Sequence, residues 1–444
     1  MSRPRGRTLA TLLLIFSTAG PAWAQTMLSA DQAVAEALAQ NAGLRAAESG
    51  VAQADAGVAD ARASWFPRLV VAEAWQRGNQ PVFAFSSLLS ARRFSADNFA
   101  IDALNRPDAV GLFRTSLGVE HLAFDFGGRR AAAHAARGRH DEARLSRDET
   151  RATLVVATVD TFGRILAAEA GGRAANAALG SARADRARVA DRRDAGLATD
   201  ADVLALDAYV ATLDQRRIQM EGEASVLRAA LNRLTGAPLD RAFTLVEPPL
   251  PANVAVADLA ALLAEAEANR PDLKIARVRS ETARATERGV RAARLPAIGI
   301  QAGVDFNGTT FGDRSASWVV GAETRWSLSL GGAERARARA ASADTARTAA
   351  LADDTRAAVH LDVVTAFERL RSARARLEAG RAAVAQARES ERIVRDRVEA
   401  GLGTITDLLR ASTAVLDATT AEVSARVDAL VSDAQLTRAL GRQP

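Results

Sequence analysis

The spacing of apolar side chains in the C-terminal half predicts a long helix with a packed seam. An apolar residue recurs every seven positions and a small residue follows three positions after each one: Val363, Leu370, Leu377 and Val384, then Ala366, Ala373, Gly380 and Ala387. This is a heptad with apolar a and small d positions, which lets neighbouring backbones approach closely. The matching heptads of the N-terminal half are weaker, since Thr158 and Gly172 stand beside Ile165 and Leu179. We predict coiled-coil-like packing in both halves.

Two segments, 128–193 and 332–400, have the composition of uninterrupted helices, rich in alanine, arginine, aspartate, glutamate and leucine. At 1.5 Å per residue, each would be roughly 100 Å long. Shorter helices are expected at four places: 31–64, 202–235, 257–293 and 407–440. Two of these end to end match one long helix in length. We therefore expect a wall in which each long helix lies beside a stacked pair of short ones.

Two further segments alternate between apolar and polar residues with the period of a β-strand. The apolar positions are Ile298, Ile300, Ala302, Val304 and Phe306 in the first, and Trp318, Val320, Ala322, Trp326, Leu328 and Leu330 in the second. Each segment is about the length of a transmembrane strand. The pattern alone fits an ordinary half-buried hairpin equally well.

The N-terminal half carries a less regular pair of strands. Leu69, Val71 and Trp75 start one, while the returning strand has apolar residues at odd positions up to Val119 and at even positions from Leu122. This change of phase predicts a bulge near Glu120 and His121. Four strands cannot close a barrel, because single-chain barrels need about eight or more. A barrel would therefore need other copies of the chain.

The chain also repeats itself. Residues 151–235 align with 356–440 at a constant offset of 205, and Leu44 to Pro67 parallels Leu273 to Pro296. A repeated unit of roughly 200 residues indicates a duplicated half-domain rather than a solenoid. We assign a first repeat to 25–237, a proline-rich linker to 238–256 and a second repeat to 257–444.

The first 24 residues have the order of a secretory signal. Arg3, Arg5 and Arg7 precede an apolar run, and Ala22-Trp23-Ala24 forms a cleavage site before Gln25. No other stretch is apolar enough to cross a bilayer as a helix, so membrane entry would require β-strands. Cysteine is absent, which excludes disulfides and thiolate metal sites.

Composition and motifs give little indication of catalysis or nucleic-acid binding. The net charge of +5 falls to +2 without the three signal arginines, and charges of both signs are interspersed. The four histidines, at 121, 134, 140 and 360, lack metal-ligand spacing. No hydrolase signature is present. We expect no enzyme activity, metal or cofactor, and no nucleic-acid partner.

Several motifs, taken in order, resemble those of the TolC family of outer-membrane efflux and secretion channels. They are the strand ends Phe126-Gly127-Gly128 and Leu330-Gly331-Gly332, the Gly-x-x-Thr-x-x-Asp turns, and PVFAFSSLLSARRF at 81–94 followed by Leu104-Asn105-Arg106-Pro107. The resemblance implies an α+β membrane protein of two internal repeats. Three chains with four strands each would share a 12-stranded outer-membrane β-barrel, continued by a long α-helical coiled-coil barrel across the periplasm.

The resemblance also implies a function and its residues. The homotrimer would be the passive exit duct of a tripartite efflux pump or type I secretion system, docked by a periplasmic adaptor (membrane fusion) protein and an inner-membrane pump. Asp407 matches an acidic ring of the periplasmic gate and Asp202 a tip aspartate, whereas Arg410 replaces a second acidic ring and Gly403 a tip arginine. We therefore expect weaker cation block than in doubly acidic members. The adaptor contacts would be Gly196, Leu197, Thr199, Gly401, Leu402, Gly403 and Thr404.

Other interpretations stay open from the residues alone. The tip glycines fit a plain helical hairpin without a partner as well as a docking site. A soluble periplasmic coiled-coil adaptor or scaffold is the main alternative function, and an exported enzyme is a weaker one. The exported substrate, whether drug, metal ion or protein, is not indicated.

Overall fold

The computed structural model describes residues 26–249 and 258–442. The signal sequence and cleavage site, and residues 250–256 of the linker, lie outside the described residues. The described chain is mostly helical, with two small sheets. Among the described residues, no helix combines the length and the apolar character needed to cross a membrane.

The first half of the chain contains three strands and six helices before the linker, apart from a 3₁₀ turn at Ala96–Phe99. In chain order they are β1 (Thr26–Leu28), α1 (Ala30–Gln40), α2 (Ala42–Ala63), β2 (Arg68–Gly78), α3 (Pro81–Ser90), α4 (Ile101–Asn105), β3 (Val110–Phe124), α5 (Gly128–Asp194) and α6 (Asp200–Thr235).

The rest of the described chain continues the numbering. Its elements are β4 (Phe243–Leu245), α7 (Leu259–Asn269), α8 (Pro271–Ala292), β5 (Ala297–Gly308), β6 (Ser315–Arg325), α9 (Ala333–Glu399) and α10 (Ile405–Ala439). The two long helices, α5 and α9, have 67 residues each and begin 205 positions apart. The prediction of two long uninterrupted helices is confirmed.

The predicted helices at 31–64 and 257–293 are each broken into two. Asn41 ends the first because its side chain accepts hydrogen bonds from the backbone N–H groups of Gly43 and Leu44, at 2.8 and 3.1 Å, and so caps α2. Pro271 opens α8, and a proline disfavours helical geometry in the residue before it. The sequence analysis also missed β1 and β4, which pair in parallel.

The larger sheet is antiparallel with the order β2-β3-β5-β6. Strand β6 ends at Arg325, which pairs with Ala297, so the predicted strand up to Leu330 is too long. The reason is that β5 begins at Ala297 and offers no partner beyond Arg325. The predicted bulge exists but lies further along, between Leu122 and Phe124, where β3 pairs with β5.

The buried residues of the two long helices include the predicted heptad positions. Val363, Leu370, Leu377 and Val384 are buried, as are Ala366 and Ala373. At Gly380, an added Cβ would lie 3.3 Å from the Cα of Glu422 in α10, so the small residue permits close helix packing. On the weaker first seam, Thr158, Ile165 and Leu179 are also buried. Coiled-coil-like packing is confirmed at these positions.

The described residues form two compact units. The first contains 26–39, 158–249 and 377–427, and its largest core cluster surrounds Phe162, Ile165 and Leu231. The second contains 40–157, 258–376 and 428–442, and includes the four-stranded sheet and a core around Val359 and Val363.

Candidate gate, docking tip and sheet face

Helices α5 and α6, and α9 and α10, form two hairpins whose turns have the same backbone. Gly196 and Gly401 have φ values of 77° and 75°, a left-handed conformation that glycine adopts at little cost. Leu197 N–H donates to the Arg192 carbonyl at 2.7 Å, and Leu402 N–H donates to the Arg397 carbonyl at 2.8 Å. These bonds close Schellman motifs and leave both leucines exposed.

The helix after each turn begins with a capping box. The Asp202 N–H donates to Thr199 Oγ1 at 3.3 Å, and the Thr199 N–H donates to Asp202 Oδ2 at 2.9 Å. In the second hairpin, the same two bonds join Asp407 and Thr404, at 3.1 and 3.3 Å. Each pair satisfies backbone donors that the first helical turn leaves without partners. Both gate candidates therefore have a structural role at a helix start.

The same hydrogen bonds favour the charged form of both carboxylates and lower their pKa. The hydroxyl of Thr404 lowers the pKa of Asp407, helped by the Thr404 N–H and the positive charges of Arg410 and Arg397. For Asp202, the Thr199 N–H is the main cause of the lowered pKa, and the Thr199 hydroxyl adds to it. Both aspartates carry a full negative charge at neutral pH.

Arg410 is close enough to Asp407 to modify its charge. Its Nη1 lies 4.0 Å from Asp407 Oδ1, while Oδ2 of the same carboxylate is held by Thr404. The Arg410 side chain is largely exposed, so the pair contributes little to folding. Asp407 can thus cap α10 through one oxygen and face Arg410 with the other. Within the described residues, Asp202 forms no ion pair with Arg410.

A small core brings the two turns together. It contains Val189, Val203, Leu206, Val398, Ile405 and Leu408, with Ala198 packed against it. Arg192 adds a polar link, since its Nη1 donates to the Val398 carbonyl at 2.9 Å. At Gly403 an added Cβ would lie 3.0 Å from Val398 Cγ2, so the glycine fits this core tightly.

The sequence analysis did not predict one polar cluster that lies near the turns of the two hairpins, which are called the tips below. Asp185 is buried, and its Oδ2 lies 3.5 Å from Nη2 of Arg395, which also pairs with Glu391 at 3.0 Å. Ser412 donates to Glu391 at 2.8 Å. Asp185 is one of many acids on a charged helix, and it pairs both with Arg188, three positions away, and with Arg395, 210 positions away in the chain. No local pattern distinguishes it from a solvated residue.

The four-stranded sheet has an apolar and a polar face. Val71 pairs with Leu117, and Leu117 with Val304, on the face that also carries the exposed Trp318 and Val320. The opposite face carries polar residues such as Arg114, Ser116, Gln301, Asp305 and Ser317. Each edge strand, β2 and β6, pairs on one side only within the described residues.

No metal site is evident among the described residues. Across 26–249 and 258–442, no group of three or more histidine, aspartate and glutamate side chains could hold a metal ion. His360 instead lies 2.8 Å from the carboxylate of Glu267. The candidate functional features are the charged helix starts and turns of the first unit and, separately, the exposed sheet face of the second.

Solved structures with the same fold include two bacterial outer membrane proteins. The CmeC outer membrane channel of Campylobacter jejuni has a TM-score of 0.80 and 16% identity, with 93% of this chain and 86% of that chain covered. The outer membrane protein VceC of Vibrio cholerae has a TM-score of 0.77 and 21% identity, with 93% and 96% covered. At these identities the likeness shows the fold alone, which is the predicted helical and β architecture.

Sequence comparison gives the family. Protein CyaE of Bordetella pertussis is 29% identical over 261 residues, which are 58% of this chain and 55% of CyaE, so the match spans about half of that relative. The model of the outer membrane efflux protein family matches residues 33–237 and 262–442. The chain therefore belongs to the outer membrane efflux protein family.

Proposed function

We propose that the protein is the outer-membrane exit duct of a tripartite efflux pump or type I secretion system. It supplies a passive channel, while an inner-membrane pump supplies the energy. A periplasmic adaptor joins the two at the helical tips. The repeats at 25–237 and 257–444, joined by the linker at 238–256, each contribute two strands and one long helix to the wall.

The sheet carries this proposal. Among the described residues, the four strands leave two edges unpaired and an apolar face exposed, so they do not form a closed structure alone. Three copies would join β2 of one chain to β6 of the next and give twelve strands, which is within the range of outer-membrane barrels. The apolar face would then contact outer-membrane lipid and the polar face would line the channel. The signal sequence fits export to that membrane.

The hairpin tips support the gate and the docking site. Asp202 and Asp407 are charged, and three copies of Asp407 beside Arg410 would form a mixed ring with weaker cation block than an all-acidic ring. The exposed Leu197 and Leu402, on the turns at Gly196 to Thr199 and Gly401 to Thr404, offer apolar contacts to an adaptor. Gly403 keeps the second turn compact.

The first experiment measures the native mass of protein extracted from isolated outer membranes, by light scattering corrected for detergent. A trimer that needs detergent and conducts ions in planar bilayers supports the duct. A monomer that is soluble without detergent contradicts it and favours an adaptor or scaffold.

A matched pair of variants tests which sheet face meets lipid. Val320 and Val319 are both exposed neighbours in β6 but lie on opposite faces. We expect Val320→Arg to reduce insertion, because arginine at the bilayer midplane costs about 2–4 kcal/mol. Val319→Arg should insert normally. Equal insertion of both variants would contradict the assignment of faces.

A further inference from the structure

The connection between β2 and β3, residues 79–109, lies over part of the sheet. Its helix α3 contacts β3 and β5. The small residues Ala84, Ser87 and Ala91 are buried on one side of this segment. Under it, Leu112 of β3 and Asn307 of β5 are almost completely buried, although most residues of these strands are exposed or half-buried. The segment therefore covers the end of the sheet closely.

The covered face is the polar one. Leu112 alternates in β3 with Phe113, so it shares a face with Arg114 and Ser116. Asn307 lies on the same face, since the Arg114 Nε donates to its Oδ1 at 3.1 Å. Most apolar side chains of the sheet, such as Val71, Leu117, Val304 and Trp318, project from the opposite face.

Hydrogen bonds hold the segment across the full width of the sheet. It leaves β2 at Gly78 and reaches the start of β6, where Arg92 Nη2 donates to the Ala316 carbonyl at 3.1 Å. Ser315 Oγ donates to the Ala91 carbonyl, also at 3.1 Å. The rings of Phe85, Phe94 and Phe99 stack edge to face, with centroids 4.5 and 5.1 Å apart. This is a packed element rather than a loose loop.

The other side of α3 is apolar and exposed. Val82, Ser86 and Leu89 are spaced by four and three residues and so share one helix face. This face is opposite to Ala84, Ser87 and Ala91. Val82 is 82% exposed and Leu89 50% exposed. The side chains of Val82 and Leu89 therefore point away from the polar face of the sheet.

We propose that α3 forms a second constriction of the channel, at the outer mouth, with Val82 and Leu89 facing the pore. This inference rests on the proposed function, in which the polar face lines the channel. Twelve strands about 4.8 Å apart and tilted by about 40° enclose a wall about 24 Å across. A helix is about 10 Å wide. Three such helices, one from each copy, leave only a narrow central opening.

The chemistry of this constriction differs from that of the tip. A narrow apolar ring hinders the passage of hydrated ions, because such a pore tends to dewet. A solute with apolar surface passes such a ring more readily than a bare ion. The outer mouth would then limit ion leakage, whereas the charged tip residues govern the periplasmic end.

Cysteine labelling tests the constriction in the full-length channel, because the natural chain has no cysteine. Val82→Cys places a single thiol on the exposed face of α3. A bulky, membrane-impermeant methanethiosulfonate reagent is added at the outer side of a planar bilayer that contains the variant. We expect a stepwise fall in single-channel conductance as each copy is modified, and mass spectrometry measures the extent of labelling.

Phe311→Cys is the matched control. Phe311 is 70% exposed in the turn between β5 and β6, and its ring contacts Phe113 on the apolar face. Its modification should leave conductance unchanged. In a second variant, Leu89→Ser, we expect increased conductance because the ring becomes polar and wider.

The outcomes separate this inference from the proposed function. If the unmodified protein forms no channel, the duct itself is wrong and the constriction falls with it. If the unmodified protein conducts, but complete labelling of Val82→Cys has no more effect than labelling of Phe311→Cys, the constriction alone is overturned.

Discussion

The two hairpin tips have the same backbone but different side chains at two equivalent positions. In the first hairpin, Arg193 and Asp200 form an ion pair at 3.4 Å, and the Asp200 side chain is 83% exposed. At the positions 205 residues later, Val398 and Ile405 are 7% and 9% exposed. At these two positions the first hairpin therefore has charged residues in contact with water, and the second hairpin has buried apolar residues.

This difference indicates which features shape the turns and which attach one hairpin to the other. The left-handed glycines and the capping boxes occur in both tips, so they determine the local backbone. Val398 and Ile405 occur only in the second tip and contribute to the core that joins both turns. Matched substitutions at the two tips separate these two contributions.

Ile405→Ala should cost about 2–5 kcal/mol of stability, because it removes a buried side chain and leaves a cavity. The equivalent change in the first hairpin, Asp200→Ala, should cost less than about 1 kcal/mol, since the carboxylate is exposed. The measurement is thermal unfolding of the detergent-solubilised protein, followed by helical circular dichroism. Similar losses for both variants would show that the two tips are equivalent after all.

Gly196→Ala and Gly401→Ala should each cost about 1–2 kcal/mol, because both residues adopt a left-handed backbone. We expect equal losses, since φ differs by only 2° between 77° and 75°. Gly180→Ala is the control. This glycine lies inside α5 with open space around it, and alanine there should stabilise by about 0.5–1 kcal/mol. Unequal losses at the two turns would contradict a shared backbone role.

Thr404→Ala and Thr199→Ala should each cost about 1 kcal/mol through loss of the cap. The pH dependence gives a sharper test. Because the pKa of Asp407 is lowered in the fold, its charge stabilises the tip above the ordinary value of 3.8, and this contribution is lost as the pH falls through the folded pKa. The same sign holds for Asp202.

We therefore expect these two aspartates to cause little change in wild-type stability between pH 7 and the ordinary aspartate pKa of 3.8. Below that pH, the stability should decrease. Thr404→Ala should reduce the acid-induced fall, because it returns the pKa of Asp407 toward its ordinary value. Melting temperatures at neutral and acidic pH measure this difference. A variant that keeps the full acid dependence would show that Thr404 does not control Asp407.

The parts of this architecture that depend on local sequence were predictable, and those that depend on distant partners were not. The long helices follow from uninterrupted helix-forming composition. The turns follow from glycine and Thr-x-x-Asp spacing. In contrast, β6 ends at Arg325 because β5 starts at Ala297, which the alternation up to Leu330 does not reveal. The buried Asp185 pairs with Arg188 on its own helix but also with Arg395 of another helix, and the local sequence does not reveal the second contact.

The sequence does contain local signals for the breaks in the short helices. Asn41 and Pro271 mark the breaks in the short helices, through a side-chain cap and a helix-starting proline. The segment at 81–94 was noticed as a motif that resembles the family, but its packing over the polar face depends on Leu112 and Asn307, which become neighbours only in the folded sheet.

The two hairpins also differ in charge where Arg410 of the second corresponds to Ala205 of the first. Arg410→Asp turns the mixed ring of Asp407 and Arg410 into an acidic one, and should raise cation selectivity and divalent-ion block in planar bilayers. The Asp407–Arg410 pair is exposed and salt screens charges in water, so we expect a modest change. Ala205→Asp is the control, because it places an aspartate at the equivalent position of the first hairpin, although it changes the charge by one unit rather than two. If Arg410→Asp leaves selectivity and block unchanged, or if Ala205→Asp changes them equally, then Asp407 and Arg410 do not form the ring, and the second hairpin differs from the first only in its packing.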